Sequence, residues 1–202
     1  MDLFSDEEVV IPLHKKVLLH CCCAPCSCAI IERLSLDDID FSLFFYNPNI
    51  HPEGEYDRRK AEIARYAASR AVPFIEAEYE PKEWLLCTQG HEADKESKGR
   101  CLICFRMRLH KTAQYAAMHG FSHIATTLGI SRRKNLSQVT QAGLDAASTR
   151  PGLTFLDINW RKQGGSARAD QISKEEGFYR QQYCGCLYSS HSAAGAHTDS
   201  NT

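Results

Sequence analysis

Cysteine placement constrains this chain more than any other feature. Cys21, Cys22, Cys23, Cys26 and Cys28 share the run HCCCAPCSC, Cys101 and Cys104 the run RCLICF, and Cys184 and Cys186 the run YCGCLYS, while Cys87 stands apart. A two-residue spacing lets both thiolates of CLIC reach one metal centre, and Gly185 gives the CGC backbone freedom to turn two sulfurs inward. Each pair is a chelating half-site. No single run has the regular spacing of a ferredoxin loop, so the fold must bring ligands together from distant segments. Zinc is content with four sulfurs and leaves clustered cysteines idle, whereas an iron-sulfur cluster beside a redox-active dithiol or second metal uses the surplus. An isolated cysteine such as Cys87 reads as a small buried hydrophobe.

Clustered cysteines point to metal or redox work only in a reducing compartment. The N-terminus MDLFSDEEVV is acidic where a secretory signal is basic, and no run approaches the roughly 18 apolar residues of a membrane span, so the expectation is a cytoplasmic protein with no membrane partner. At 202 residues the chain suits one domain: a flexible N-terminal segment over 1–14, a single catalytic domain over 15–190 and a flexible tail over 191–202. The formal net charge of −1 gives no global attraction to nucleic acid, so a polyanion would need a local basic patch.

Short apolar runs at Val17–His20, Phe41–Tyr46, Val72–Glu76, Ser122–Thr127 and Leu153–Ile158 read as strands. Amphipathic stretches at Glu55–Arg70 and Cys104–Met118 read as helices, the second ended by Gly120. This alternation predicts an α/β fold, a parallel sheet with helices on both faces and cysteine-rich helical additions. Ligands of such sheets bind beyond the carboxyl ends of the strands, where the Cys21-Cys22-Cys23 triple follows the first strand.

The loop YNPNIHP after the second strand gathers Asn47, Asn49 and His51, either as turn residues or as ligand contacts. Glu92 and Asp94 precede the second cysteine run and are candidate oxygen donors, although acidic surface loops are commoner. Arg132, Arg133 and Lys134 in ISRRKN, and Arg161 and Lys162 in NWRKQGG, follow strands at the same sheet end and would favour a phosphate-rich substrate. His20 and His51 are candidate proton relays.

The motifs LLHCCCAPC, FFYNPNIHP, GRCLICFRMRL, TTLGISRRKN, NWRKQGG and FYRQQYCGC, in this order over about 15–189, together resemble the cobalamin-independent epoxyqueuosine reductases of the QueH type. The resemblance implies a fold like the adenine nucleotide α-hydrolase (HUP-like) group. It also implies two-electron reduction of the epoxide of epoxyqueuosine at the wobble position of a transfer RNA with a GUN anticodon, giving queuosine with the help of an external electron donor. Implied cofactors are a 4Fe-4S cluster and an additional mononuclear iron held by cysteine and carboxylate. Carried over position by position, the family's pairs fall on Cys22 and Cys23, on Cys101 and Cys104, and on Cys184 and Cys186, with Asp94 the candidate carboxylate. Cys22, Cys23, Cys101 and Cys104 are then expected to hold the cofactor, and Cys184, Cys186 and His51 to take part in catalysis. Asn47, Asn49, Arg132, Arg133, Lys134, Arg161 and Lys162 are expected to bind substrate. Cys21, Cys26, Cys28 and Cys87 fall outside the required set.

Two other readings compete. An iron-sulfur sulfur transferase on transfer RNA shares fold class and cysteines, but activates its base with ATP; where a glycine-rich pyrophosphate loop is needed after the first strand, CCCAPCSC stands instead. A zinc-stabilised RNA-binding module would be colourless, whereas an iron-sulfur protein is brown.

Overall fold

The structure is a computed structural model and describes residues 15–189; the expectations for 1–14 and for the tail from 191 lie outside the described residues. Its strands are β1 (Val17–Cys21), β2 (Phe41–Phe45), β3 (Phe74–Glu76), β4 (His123–Thr126) and β5 (Thr154–Phe155). They form one all-parallel sheet in the order β3-β2-β1-β4-β5. β1, VLLHC, is buried along its whole length, as a central strand covered on both faces must be. The helices are α1 (Ala24–Leu36), α2 (Glu53–Ser69), α3 (Pro81–Cys87), α4 (Gly99–Met118), α5 (Leu136–Ser148) and α6 (Gly165–Glu175).

Alternate residues of β1 feed two cores. Val17 and Leu19 pack with Ile30 and Ile31 of α1, Ile63 and Tyr66 of α2, and Ile172 of α6. Leu18 faces the other way, with Leu109 and Ala113 of α4 and Val139 and Ala142 of α5. Strand order reverses at β1, because the chain leaves it toward β2 and β3 and returns on its other side with β4 and β5. The crevice beyond the carboxyl ends of β1 and β4 is therefore the switch point where ligands of doubly wound sheets bind.

The predicted elements shift in ways that affect the site. β3 starts at Phe74 instead of Val72, because Pro73 has no N–H to give the ladder and offers only its carbonyl, to Leu43 N. β5 shortens to two residues on the sheet edge. The helix expected from Cys104 begins five residues earlier at Gly99, so Cys101 and Cys104 both ride on α4. In NWRKQGG the two glycines are sterically required. Gly164 caps α6 at φ +76°, and a Cβ on Gly165 would fall 2.0 Å from the Trp160 carbonyl oxygen. Among the described residues no helix is long and apolar enough to cross a membrane.

Candidate metal centre and substrate cleft

Sulfurs from all three cysteine runs meet at one cleft of about 450 Å³ at the switch point, where Cys22, Cys26, Cys101 and Cys184 are wall residues. β1 delivers the first run. Cys21 ends the strand in the core with its Sγ on the Phe44 carbonyl, and Cys22 and Cys23 follow at once. α1 then starts with proline in its first turn, where a missing N–H costs nothing. That turn carries Cys26 back, so that the ligand atoms of Cys22, Cys23 and Cys26 lie within 4.8 Å of one another. Cys22 and Cys23 Sγ are 3.7 Å apart.

α4 supplies the second run. Cys101 lies in its first turn and accepts a hydrogen bond from Ser97 N at 3.2 Å, and Cys104 is buried one turn on. The third run closes the cleft, Cys184 toward its wall and Cys186 packed with Cys104 and Trp84. Gly185 has φ +109°, and a Cβ there would meet Arg59 Nη1 at 2.9 Å and Ile50 Cγ1 at 3.1 Å. Its carbonyl accepts from His51 N, and the Tyr183 hydroxyl donates to the His51 carbonyl. Gly185→Ala is therefore expected to destabilise the fold by about 1–3 kcal/mol and to weaken iron retention; urea denaturation and iron assay check both, and wild-type values in each would refute the expectation.

All ten cysteines are free. The sulfurs share charge unevenly. Hydrogen bonds from Cys23 and Cys26, then the charges of Arg108 and Lys134, hold the Cys22 thiol well below its ordinary value against the opposing effect of burial. Cys23, hydrogen-bonded to that sulfur, is pushed up to about 12, and Cys26 is raised by the same contact. Burial would push Cys184 up, but Lys134, whose Nζ donates to Sγ at 3.0 Å, and Arg108 outweigh it and leave the thiol lowered. Cys101 is pushed up to about 11, chiefly by burial.

The cations around these sulfurs are buried more deeply than surface arginines should be. Arg108 is 1% exposed, donating to His20 Nε2, Asn47 Oδ1 and Cys104 Sγ. Arg59 is 2% exposed, paired with Glu55 and donating to the carbonyls of Tyr183 and Cys184. Converging thiols with surplus positive charge fit an anionic iron-sulfur group better than a calcium or magnesium ion, which takes oxygen ligands. Cys22, Cys23 and Cys26 bring their ligand atoms close enough to share a metal, and Cys101 and Cys184 lie on the same cleft wall as further candidate ligands.

Other expected site residues are divided by the fold. Asn49, Arg132, Arg133 and Lys134 line the cleft. Asn47 lies behind it, its amide donating to the Cys21 carbonyl and its oxygen accepting from Arg108. The guanidinium of Arg161 donates to the carbonyls of Gly129, Ser131 and Lys134, a staple for the loop that carries Lys134. Lys162 lines a separate cleft, beside α1. Asp94 accepts from Arg100 N and lies 2.9 Å from His91 Nδ1 at the start of α4, and it is absent from the cleft wall; the carboxylates on that wall are Glu96, whose charge is felt by Cys184, and Asp170. His51 Nδ1 is 2.9 Å from the Asn49 carbonyl, and its buried Nε2 has no partner. His20 is pushed down to about 3 by burial and then by Arg108, so it stays neutral.

Cys26, outside the set that the resemblance implies, lines the cleft together with Arg59, Arg108, Glu96 and Gln181, and the Gln181 amide donates to Cys23 Sγ at 3.0 Å. For Arg108 one signal was present in the sequence: Cys101, Cys104 and Arg108 stand at i, i+3 and i+7, one face of a helix.

A family model described as epoxyqueuosine reductase QueH matches residues 17–192. The protein named epoxyqueuosine reductase QueH from Acinetobacter baylyi is 48% identical over 174 residues, covering 86% of this chain and 80% of the relative. That from Haemophilus influenzae is 47% identical over 187 residues, 92% and 76%, and that from Thermotoga maritima 35% over 176 residues, 86% and 89%. Among solved structures, the U34-tRNA thiolase NcsA from Methanococcus maripaludis with its [4Fe-4S] cluster superposes with TM-score 0.53 at 12% identity, covering 91% of this chain and 65% of that one, a likeness of fold. With its motifs in order along the whole sheet domain, the chain belongs to the epoxyqueuosine reductase QueH family.

Proposed function

We propose that this protein reduces the epoxide of epoxyqueuosine in transfer RNA to the alkene of queuosine. Carrying this reading is the convergence of three distant cysteine runs on one cleft with Arg132 and Arg133 at its wall. In balance, the epoxide takes up two electrons and two protons, both C–O bonds break, a C=C bond forms and the oxygen leaves as water. The electrons come from an external low-potential one-electron donor.

Cys22, Cys23, Cys101 and Cys104 would hold a 4Fe-4S cluster. An additional iron would take Cys184 and Cys186, with Cys26 as a further sulfur and Glu96 a better placed carboxylate than Asp94. An iron-sulfur group bound there supplies electrons singly at low potential. The chain does the rest. A cleft of about 450 Å³ accepts a nucleoside-sized group. Asn49 presents a buried Oδ1 without a partner, a ready acceptor for a base or diol N–H or O–H. Lys134 spends one N–H on Cys184 and keeps two for the substrate oxygen. Arg132 and Arg133, both exposed, would meet phosphates flanking the modified nucleotide.

The test is turnover. Protein purified without oxygen should be brown and, with a strong one-electron reductant, convert epoxyqueuosine to queuosine in transfer RNA carrying a GUN anticodon, read by nucleoside mass spectrometry. Full turnover by iron-free protein, or none by iron-replete protein, sinks the proposal.

A further inference from the structure

Arg108 poses an energetic question that its hydrogen bonds do not answer. A guanidinium does not lose its charge in a protein, and leaving one in the interior without an anion costs several kcal/mol. Its side chain is 1% exposed, and the partners that accept from it, His20 Nε2 at 3.3 Å, Asn47 Oδ1 and Cys104 Sγ at 4.0 Å, include no carboxylate. The other buried arginine at the site, Arg59, does have one, Glu55 at 2.6 Å.

Those partners fix Arg108 rigidly. His20 is itself held on three sides, its Nδ1 2.9 Å from Thr126 Oγ1 and its Nε2 3.2 Å from the Tyr46 carbonyl and 3.3 Å from Arg108 Nε. Asn47 is oriented in turn, its amide donating to the Cys21 carbonyl at 3.0 Å. Strands β1 and β4, the loop after β2 and helix α4 thus jointly hold one cation between the first cysteine run and the second. Its field reaches Cys22 and Cys184, favouring the charged form of both sulfurs.

We propose that Arg108 is a positioning residue whose fixed charge, with no carboxylate partner, raises the reduction potential of the iron-sulfur group held by the surrounding cysteines. Each electron added to that group increases its negative charge, so a nearby buried cation stabilises the reduced form. The inference rests on the reading of these cysteines as an iron-sulfur site.

The experiment compares wild type, Arg108→Lys, Arg108→Gln and Asn47→Asp, each loaded with iron and sulfide without oxygen, by iron content and by a dye-mediated redox titration followed by electron paramagnetic resonance. Asn47→Asp keeps the side-chain shape and sets a carboxylate against Arg108 to neutralise it, giving up the N–H that donates to the Cys21 carbonyl. Arg108→Gln and Asn47→Asp should each lower the reduced-to-oxidised ratio at fixed potential at least about tenfold, about 59 mV for one electron. Arg108→Lys, which keeps the charge, should stay close to wild type. A wild-type midpoint in iron-replete Arg108→Gln or Asn47→Asp overturns the proposal; should Arg108→Gln not fold, Asn47→Asp decides alone. A wild-type chain that takes up no iron-sulfur group overturns instead the underlying reading, and the absent signal tells the two failures apart.

Discussion

Cys101→Ala and Cys184→Ala are each expected to lower epoxide reduction about a thousandfold or more, equivalent to about 4 kcal/mol of barrier, while leaving the metal-free chain folded. Both sulfurs sit on the cleft wall; Cys184 belongs to neither main core, and Cys101, only partly buried, packs at the edge of the one that α4 and α5 share. Removing either takes away a ligand without opening a cavity under the sheet, so the thermal midpoint of the apo-protein should move by no more than a few degrees. Cys28 is the contrasting case. Its Sγ lies against the Ala169 carbonyl between α1 and α6, so Cys28→Ala should cost stability, about 1 kcal/mol for a lost buried contact, and leave iron content unchanged. Cys87 is exposed, and Cys87→Ser should change neither. Cys26→Ser is the sharpest comparison, since its sulfur lies with those of Cys22 and Cys23: iron retention should fall at least about tenfold, as for the loss of a group that supports a metal site. Iron retention equal to that of Cys87→Ser would return Cys26 to the bystanders.

Those contrasts mark what was legible in the sequence. Strand and helix alternation gave the parallel sheet because buried strands such as VLLHC and FSLFF are apolar in unbroken runs, and the triple cysteine was placed correctly at the end of the first strand. Spacing also marked CLIC and CGC as candidate chelating pairs. It could not show that Cys26 joins Cys22 and Cys23, because that depends on α1 starting directly after Cys23, a cap set by backbone conformation and Pro25. Basic residues were harder to read, since charge in a sequence carries no mark of direction. Arg132 and Arg161 look alike as letters, yet one is exposed at the cleft and the other is spent on three carbonyls. Asp94 looked like a ligand because it is acidic and near Cys101, whereas its carboxylate caps the start of α4. Arg108 was hidden by the opposite effect, a charge on the buried face of an amphipathic helix, where the periodicity predicts an apolar residue.

Replacing Arg132, Arg133 and Arg180 together by alanine is expected to weaken transfer RNA binding roughly ten- to a hundredfold at moderate salt and to flatten its salt dependence. All three are exposed and line the cleft, two on the loop that follows β4 and one on the segment before the third cysteine run. Arg133 bonds the Gln182 carbonyl and Arg180 the Asp170 carboxylate, so each is pre-oriented at the rim without being buried. Their charges are far enough from the sheet to leave folding intact, and a formal net charge of −1 means that no diffuse positive field can replace them. For a single-stranded anticodon loop each phosphate contact contributes about −0.7 to the slope of log affinity against log salt, so losing three should reduce its magnitude by about 2. Arg161→Ala should behave differently. It frees the loop that carries Lys134, so it should disturb iron retention and turnover while the salt slope stays near wild type. Binding isotherms at several salt concentrations, with iron content measured on the same samples, separate the two. An unchanged slope in the triple variant would move the transfer RNA path to another face of the molecule, and a flattened slope in Arg161→Ala would make that residue a phosphate ligand after all.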